Sequence, residues 1–372
     1  MRASVPPLGS NIESVFLFCN EEKWMTNEIA VPQHRSSHVA VLSESKASAH
    51  LPALDGVRGI AILLVLFTHL SSVLRSNVFL GRVFGAGWIG VDLFFVLSGF
   101  LITRILVNTG NDPHYYSRFY IRRGLRIWPL YFTYVLALYF GLHFISQIGA
   151  VQRFAATSDF LRLNPLRFSR PLIFYLLFIQ NLVGFQDLLI VTWSLCVEEH
   201  FYLIWPILVR KFSVTALKRI LWTSFLLSPV LRLAFFFFSR LRGIPFKTSH
   251  SFIYHSTPFH LDSIIAGCLL GLYWMECRDP IRFRIRFWVL FLVGAIASSI
   301  MLWFTREQSA LYCFSFTFLA MLFAGLVGLT LLGWNRAMFV NLAPKVFWQD
   351  KLWILFDSLP DRQRIPKPSY SA

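Results

Sequence analysis

Charge is what this sequence has least of. Asp, Glu, Lys and Arg make up 15% of the 372 residues, against about 25% in a soluble domain. That shortage excludes an ordinary water-covered surface. Acidic residues are scarcer still, with 19 Asp and Glu against 35 Lys and Arg, a net charge of +16. The positives sit in short clusters between apolar runs, and no nucleic-acid-binding motif accompanies them, which argues against a nucleic-acid partner. Cysteine is also sparse. Cys19, Cys196, Cys268, Cys277 and Cys313 are scattered, with no C-x-x-C pair. That pattern excludes a disulfide framework and a zinc site, and predicts small apolar side chains inside helices. No metal is expected. Internal repeats are missing too, including the paired Gly/Pro-broken segments of many transporters.

What the sequence has instead is apolar length. Hydrophobic residues reach 56%, Phe alone numbers 39, and mean hydropathy is +0.57. A bilayer core needs about 20 apolar residues per helix. Stretches of that kind recur near 57–75, 87–107, 126–146, 192–209, 218–238, 258–275, 287–304 and 310–333. The fold class is therefore all-α, a polytopic transmembrane bundle of about eight to ten helices. A shorter apolar run, 171–185, fits a re-entrant piece or a tight span.

Residues 1–50 are polar and without periodicity, which predicts a disordered extension. The basic connectors orient the rest. Arg104, Arg118, Arg122, Arg123 and Arg126 lie between the second and third spans, which places that connector and the N-terminus in the cytoplasm. If 171–185 does not cross, the clusters at 210–219 and 278–286 fall on the same side. Four arginines at 153–170 then lie opposite, against the rule. The expected location is the cytoplasmic membrane.

Two ionisable residues stand on the first span. Arg58 and His69 are eleven residues apart, three turns plus about 20°, so they share one helix face about 16 Å apart. Alone, either fits a bland role: an interfacial anchor or a histidine bonded to a neighbouring helix. Together on one stripe of an apolar helix they point to a functional site.

Four segments, LDGVRGIAILLVLFTH, GWIGVDLFFVLSGFLIT, FYIRRGLRIWPLY and TWSLCVEEHFYLIWP, resemble in the same order the acyltransferase-3 family, integral membrane O-acyltransferases of the O-antigen acetylase type. The likeness covers about 51–335. It implies an acyl-CoA donor, acetyl-CoA by family habit, with no permanently bound cofactor. It further implies a carbohydrate acceptor: a surface polysaccharide, lipid-linked glycan or glycoside. Two rival readings remain, a transporter of an acyl or glycan substrate and an inactive family member.

With the resemblance in view, His69 is the natural general base, its ordinary pKa suiting proton transfer near neutrality; covalent acyl carriage is the alternative. Arg58 would hold a phosphate or polarise the thioester carbonyl. Arg123 and Arg126 are neighbours at i,i+3, and their guanidinium forks suit the phosphates of coenzyme A, although a basic topological cap uses the same residues. Glu198 shares a face with Tyr202 and is expected to orient a histidine or the acceptor. Glu199, Tyr202 and Asp262 are lesser substrate-binding candidates. A helix N-terminus favours the two glutamates for purely structural reasons as well. Asp92 falls near the outer end of the second span, Ser98 reads as a packing residue beside Gly99, and His260 occupies a position where the family usually has Arg. The segment after 335 departs from the family pattern, which predicts an atypical, truncated tail over 336–372. Oligomeric state is not readable.

Overall fold

The computed structural model describes residues 51–70, 84–149, 171–183, 191–277, 279–304 and 310–333. The readings of 1–50, of the arginines at 153–170 and of 336–372 lie outside these residues. Every described element is helical. They are α1 (Pro52–Leu70), a 3₁₀ turn (Ala86–Trp88), α2 (Ile89–Asn108), α3 (Tyr115–Ser146), α4 (Leu172–Leu176) and a 3₁₀ turn (Gln180–Leu182). After these come α5 (Trp193–Lys211), α6 (Val214–Leu241), α7 (Phe246–His255), a 3₁₀ turn (Thr257–Phe259), α8 (Asp262–Met275), α9 (Pro280–Phe304) and α10 (Tyr312–Leu331).

Six of these meet the length and composition of a membrane span: α1, α2 with its preceding turn, α3, α6, α9 and α10. Two expected spans fall short of that description. α8 has 14 residues, about 21 Å, because the chain turns at Thr257–Phe259 and the helix starts only at Asp262. α5 carries Glu198, Glu199, Arg210 and Lys211. The third span also begins earlier than its apolar run suggests. Helix α3 starts at Tyr115, so Arg118, Arg122, Arg123 and Arg126 stand on its N-terminal turns rather than in a loop, while Arg104 lies on α2.

α2, α8 and α10 form the interior. Eleven of the fourteen α8 residues are buried, which is why this helix is apolar all round rather than amphipathic. α2 and α8 touch backbone to backbone. A Cβ on Gly99 would lie 2.2 Å from the Ile264 carbonyl oxygen, and one on Gly267 would lie 2.1 Å from that of Val96. Only glycine fits at either place, as small residues do where membrane helices pack closely. Cys196, Cys268 and Cys313 are buried as free thiols, as their spacing suggested. Outward-facing residues such as Leu125, Leu130, Leu203, Leu226 and Ile285 are exposed, as lipid contact requires.

The basic connectors gather at one end of the bundle. Arg210, from the end of α5, bonds the Gly110 carbonyl and stacks over Tyr115; Lys218, at the start of α6, pairs with Glu276 after α8. The 171–183 segment accounts for this arrangement. It holds a five-residue helix and a turn, shorter than a span requires. Non-helical backbone at membrane depth survives only where protein covers it, and here Gln180 and Asn181 are buried. Asn181 donates to Thr257 at 2.8 Å and Gln180 to Thr192 at 3.1 Å.

Candidate active site

The packing of Gly99 against α8 fixes the rotation of α2 and turns Ser98 toward α5. Ser98 donates to Glu198 Oε1 at 2.9 Å, and Tyr202, one turn along α5, donates to Glu198 Oε2 at 3.0 Å. The carboxylate is 4% exposed. Burying a charge is costly unless neighbouring groups compensate it, and here compensation comes from arginines held at a distance. Arg126 lies within electrostatic range of Glu198, Arg123, Arg58 and Tyr202. The Arg123 guanidinium sits over the Tyr202 ring, 5.2 Å from its centroid. None of these arginines forms an ion pair with Glu198 among the described residues. Arg58 pairs instead with its helix neighbour Asp55 at 3.2 Å.

Beside this cluster is a cavity of about 190 Å³. Its walls include Ile105 and Thr109 from α2, Tyr115 and Phe119 from α3, and four arginines, Arg118, Arg122, Arg123 and Arg126. The arginines share one wall because α3 repeats their positions at three- and four-residue steps. Asp112 is the one acid in the lining and pairs with Arg118. A concave site with this excess of forked cations fits phosphate groups. Arg123 and Arg126 belong both to the cavity and to the surroundings of Glu198, so the two are adjacent.

The structure brings Arg58, Arg123, Arg126, Glu198 and Tyr202 together, but His69 stands elsewhere. A Cβ on Gly87 would lie 2.0 Å from the Leu64 carbonyl oxygen and 2.8 Å from Thr68 Oγ1, so the start of α2 lies beside the last turns of α1. From Gly87 to Ser98 is about 16 Å along the helix axis. His69, exposed at the end of α1, is therefore at the opposite end of the bundle's polar stripe. Glu198 orients Ser98 and is oriented by Tyr202; it does not orient His69. Glu199 points away from Glu198 and accepts from the Trp128 indole at 3.3 Å, on the flank between α3 and α5.

Asp262 belongs to a separate, closed cluster. Arg232 of α6 meets it through two parallel bonds, Nη1 to Oδ1 at 2.7 Å and Nη2 to Oδ2 at 2.8 Å. Ser228 and Thr317 donate to the same carboxylate at 2.6 and 2.5 Å. The remaining guanidinium donors reach the Cys313 and Phe259 carbonyls and Thr317. Both charged residues have 0% exposure, and no acceptor position is left for a substrate. Nearby, Asp92 accepts from Ser263 at 2.6 Å and lies 3.1 Å from His260 Nε2. Both side chains are fully buried, and Asp92 lies on the first turn of α2, near a helix end as the sequence suggested.

Sequence reasoning missed Ser98, Arg118, Arg122 and Arg232 as participants. For Arg232 a signal was present: an arginine inside the apolar run LRLAFFFF is rare enough in a membrane helix to require a partner.

A family model described as an acyltransferase domain matches residues 51–348. Among curated proteins, the peptidoglycan O-acetyltransferase OatA of Listeria monocytogenes is 30% identical over 266 residues, covering 70% of this chain and 40% of that protein. The Bacillus subtilis protein YrhL, provisionally named a peptidoglycan O-acetyltransferase, is 30% identical over 232 residues, covering 60% of this chain and 33% of its own length. The chain thus spans about a third to two fifths of these relatives. No solved structure matches it significantly. With the family match running from the first described helix past the last, the chain belongs to the acyltransferase-3 family of integral membrane acyltransferases.

Proposed function

We propose that the protein transfers an acyl group, acetyl in the first instance, from acyl-CoA to a carbohydrate hydroxyl. The observation that carries this reading is the Glu198 centre, with Arg123 and Arg126 within electrostatic range of one buried carboxylate, Arg58 within range of Arg126 and a cavity walled by arginines beside it. In the cavity, Arg123 and Arg126, helped by Arg118 and Arg122, hold the phosphates of the donor. The thioester reaches inward toward Glu198, and Arg58 and Arg126 supply positive charge where the carbonyl oxygen becomes negative. The basic end of the bundle faces the cytoplasm, by the bias of short connectors, which is where acyl-CoA is available.

Glu198 is the proton-handling group of this centre: it already accepts a hydroxyl hydrogen bond, the geometry a general base requires. We assign His69, about 16 Å along the stripe, to the acceptor end, where an imidazole suits binding a hydroxyl of an extended sugar chain. The relatives named for peptidoglycan make a cell-wall polysaccharide the first acceptor to try, with lipid-linked glycans and glycosides next. Asp262, saturated by Arg232, is assigned to the scaffold.

The test is release of free CoA thiol by protein in lipid nanodiscs supplied with acetyl-CoA and fractionated bacterial glycans. Thiol release that requires acceptor supports the reading. Accumulation of intact substrate in sealed vesicles without thiol release would replace it with transport.

A further inference from the structure

Ser98 occupies an unusual place for a residue in a helix-packing motif. It is half-buried on α2, and its Oγ donates to one oxygen of Glu198 at 2.9 Å. The other oxygen of that carboxylate is held by Tyr202 at 3.0 Å, so Glu198 is fixed by one hydroxyl and directed at another. Two helices, meeting here across 100 residues of sequence, bring together a hydroxyl and a base, the pairing that activates a serine for covalent catalysis. The Ser98 side chain also shares a helix stripe with the donor cavity. Ile105 is seven residues on, two turns less about 20°, and about 10 Å away; Thr109 follows one turn later. Both line the cavity. A ligand whose phosphates lie on the arginine wall therefore extends its arm along α2 toward Ser98. Arg126 lies within electrostatic range of Glu198, the base of this pair.

We propose that Ser98 is a catalytic nucleophile that carries the acyl group as an ester, with Glu198 as its base. The proposal rests on the acyl-thioester donor reading. In the first half-reaction Ser98 Oγ bonds to the thioester carbonyl carbon while its proton passes to Glu198. The carbon–sulfur bond breaks, the thiolate takes the proton from Glu198, and CoA leaves as the thiol. In the second half-reaction an acceptor hydroxyl gives its proton to Glu198 and its oxygen bonds to the acyl carbon. The bond from that carbon to Ser98 breaks, and the proton returns from Glu198 to Ser98. No net proton, oxidant or reductant is consumed.

The experiment supplies wild-type protein in nanodiscs with acetyl-CoA and isotopically labelled CoA, without acceptor. It reads label exchange into acetyl-CoA, then maps any adduct by peptide mass after an acid quench. Thiol release with acceptor is measured in parallel. The expected result is exchange in wild type, an acetyl ester on Ser98, and loss of about a hundredfold or more in both readouts in Ser98→Ala. Ser98→Cys keeps an adduct that neutral hydroxylamine removes, as a thioester and unlike the serine ester. If thiol release proceeds but no adduct forms on Ser98, or Ser98→Ala turns over at the wild-type rate, the serine proposal is overturned and the donor reading stands. An adduct on His69 alone would likewise overturn it. If folded wild type releases no thiol with any acceptor, the donor reading fails and takes this proposal with it. Should Ser98→Ala fail to fold, the wild-type adduct map decides alone.

Discussion

Two carboxylates are buried among arginines in this bundle, and they are finished to different degrees. Around Asp262 every bond is made: Arg232 grips it with two, Ser228 and Thr317 fill the rest, and backbone carbonyls take the spare guanidinium protons. That cluster ties α6, α8 and α10 together with no acceptor position to spare. Around Glu198, among the described residues, two hydroxyls bond directly, while the arginines stand back beside a cavity. A cluster that satisfies itself is scaffold; one that leaves cations lining a cavity beside a buried base is prepared for a ligand. The contrast teaches that an intramembrane charge marks function only when its partners leave something undone.

The largest effect is expected at the closed cluster. Removing one member of a fully buried ion pair leaves an uncompensated charge, at a cost of about 3–5 kcal/mol. Arg232→Met should therefore abolish insertion or yield protein that aggregates on extraction, read by size-exclusion recovery in detergent. The double variant Arg232→Met with Asp262→Leu should recover most of the loss, because no charge is then stranded. If the single variant is as stable as wild type, the cluster is not the clamp described here.

Next in size is Glu198→Gln. It preserves shape and burial but removes the base, so thiol release should fall about a hundredfold or more, equal to about 2.7 kcal/mol of barrier. Thermal stability should shift far less than in Arg232→Met. Arg126→Ala and Arg123→Ala should act mainly on the donor, raising KM for acetyl-CoA about tenfold each, about 1.4 kcal/mol, with a weaker effect on KM for the acceptor. The smallest change is Tyr115→Phe. It deletes the hydrogen bond to the Pro206 carbonyl at 3.1 Å, worth about 1 kcal/mol, and should lower the melting temperature slightly; because Tyr115 lines the donor cavity, any rise in donor KM should stay below that of Arg123→Ala.

Much of the architecture was legible from composition and run length, because a bilayer demands helices and helices demand apolar stretches. The 171–183 segment was legible as short, and a segment too short to span fits basic connectors that share an end. Within one helix the site was readable as well. The three-residue step from Arg123 to Arg126 and the four-residue step from Glu198 to Tyr202 follow from helix geometry alone, and the structure brings these four residues to one place. What spacing could not supply was pairing between helices. Ser98 and Glu198 are 100 residues apart, and Arg232 and Asp262 are 30; both contacts depend on how the helices are rotated and stacked. The same gap explains His69. Sharing a face with Arg58 put it on the right stripe but did not say how far along that stripe the carboxylate would fall.

The measurement that tests the central contrast most directly sets Glu198→Gln beside Asp262→Asn. For each, acetyl-CoA thiol release is normalised to the amount of folded protein recovered from the membrane. The account predicts that Glu198→Gln is recovered in near wild-type amounts and is inactive per folded molecule. It predicts that Asp262→Asn is poorly recovered but active per folded molecule. The reverse result, an active Glu198→Gln and a well-folded, inactive Asp262→Asn, would place the chemistry at the cluster assigned here to the scaffold.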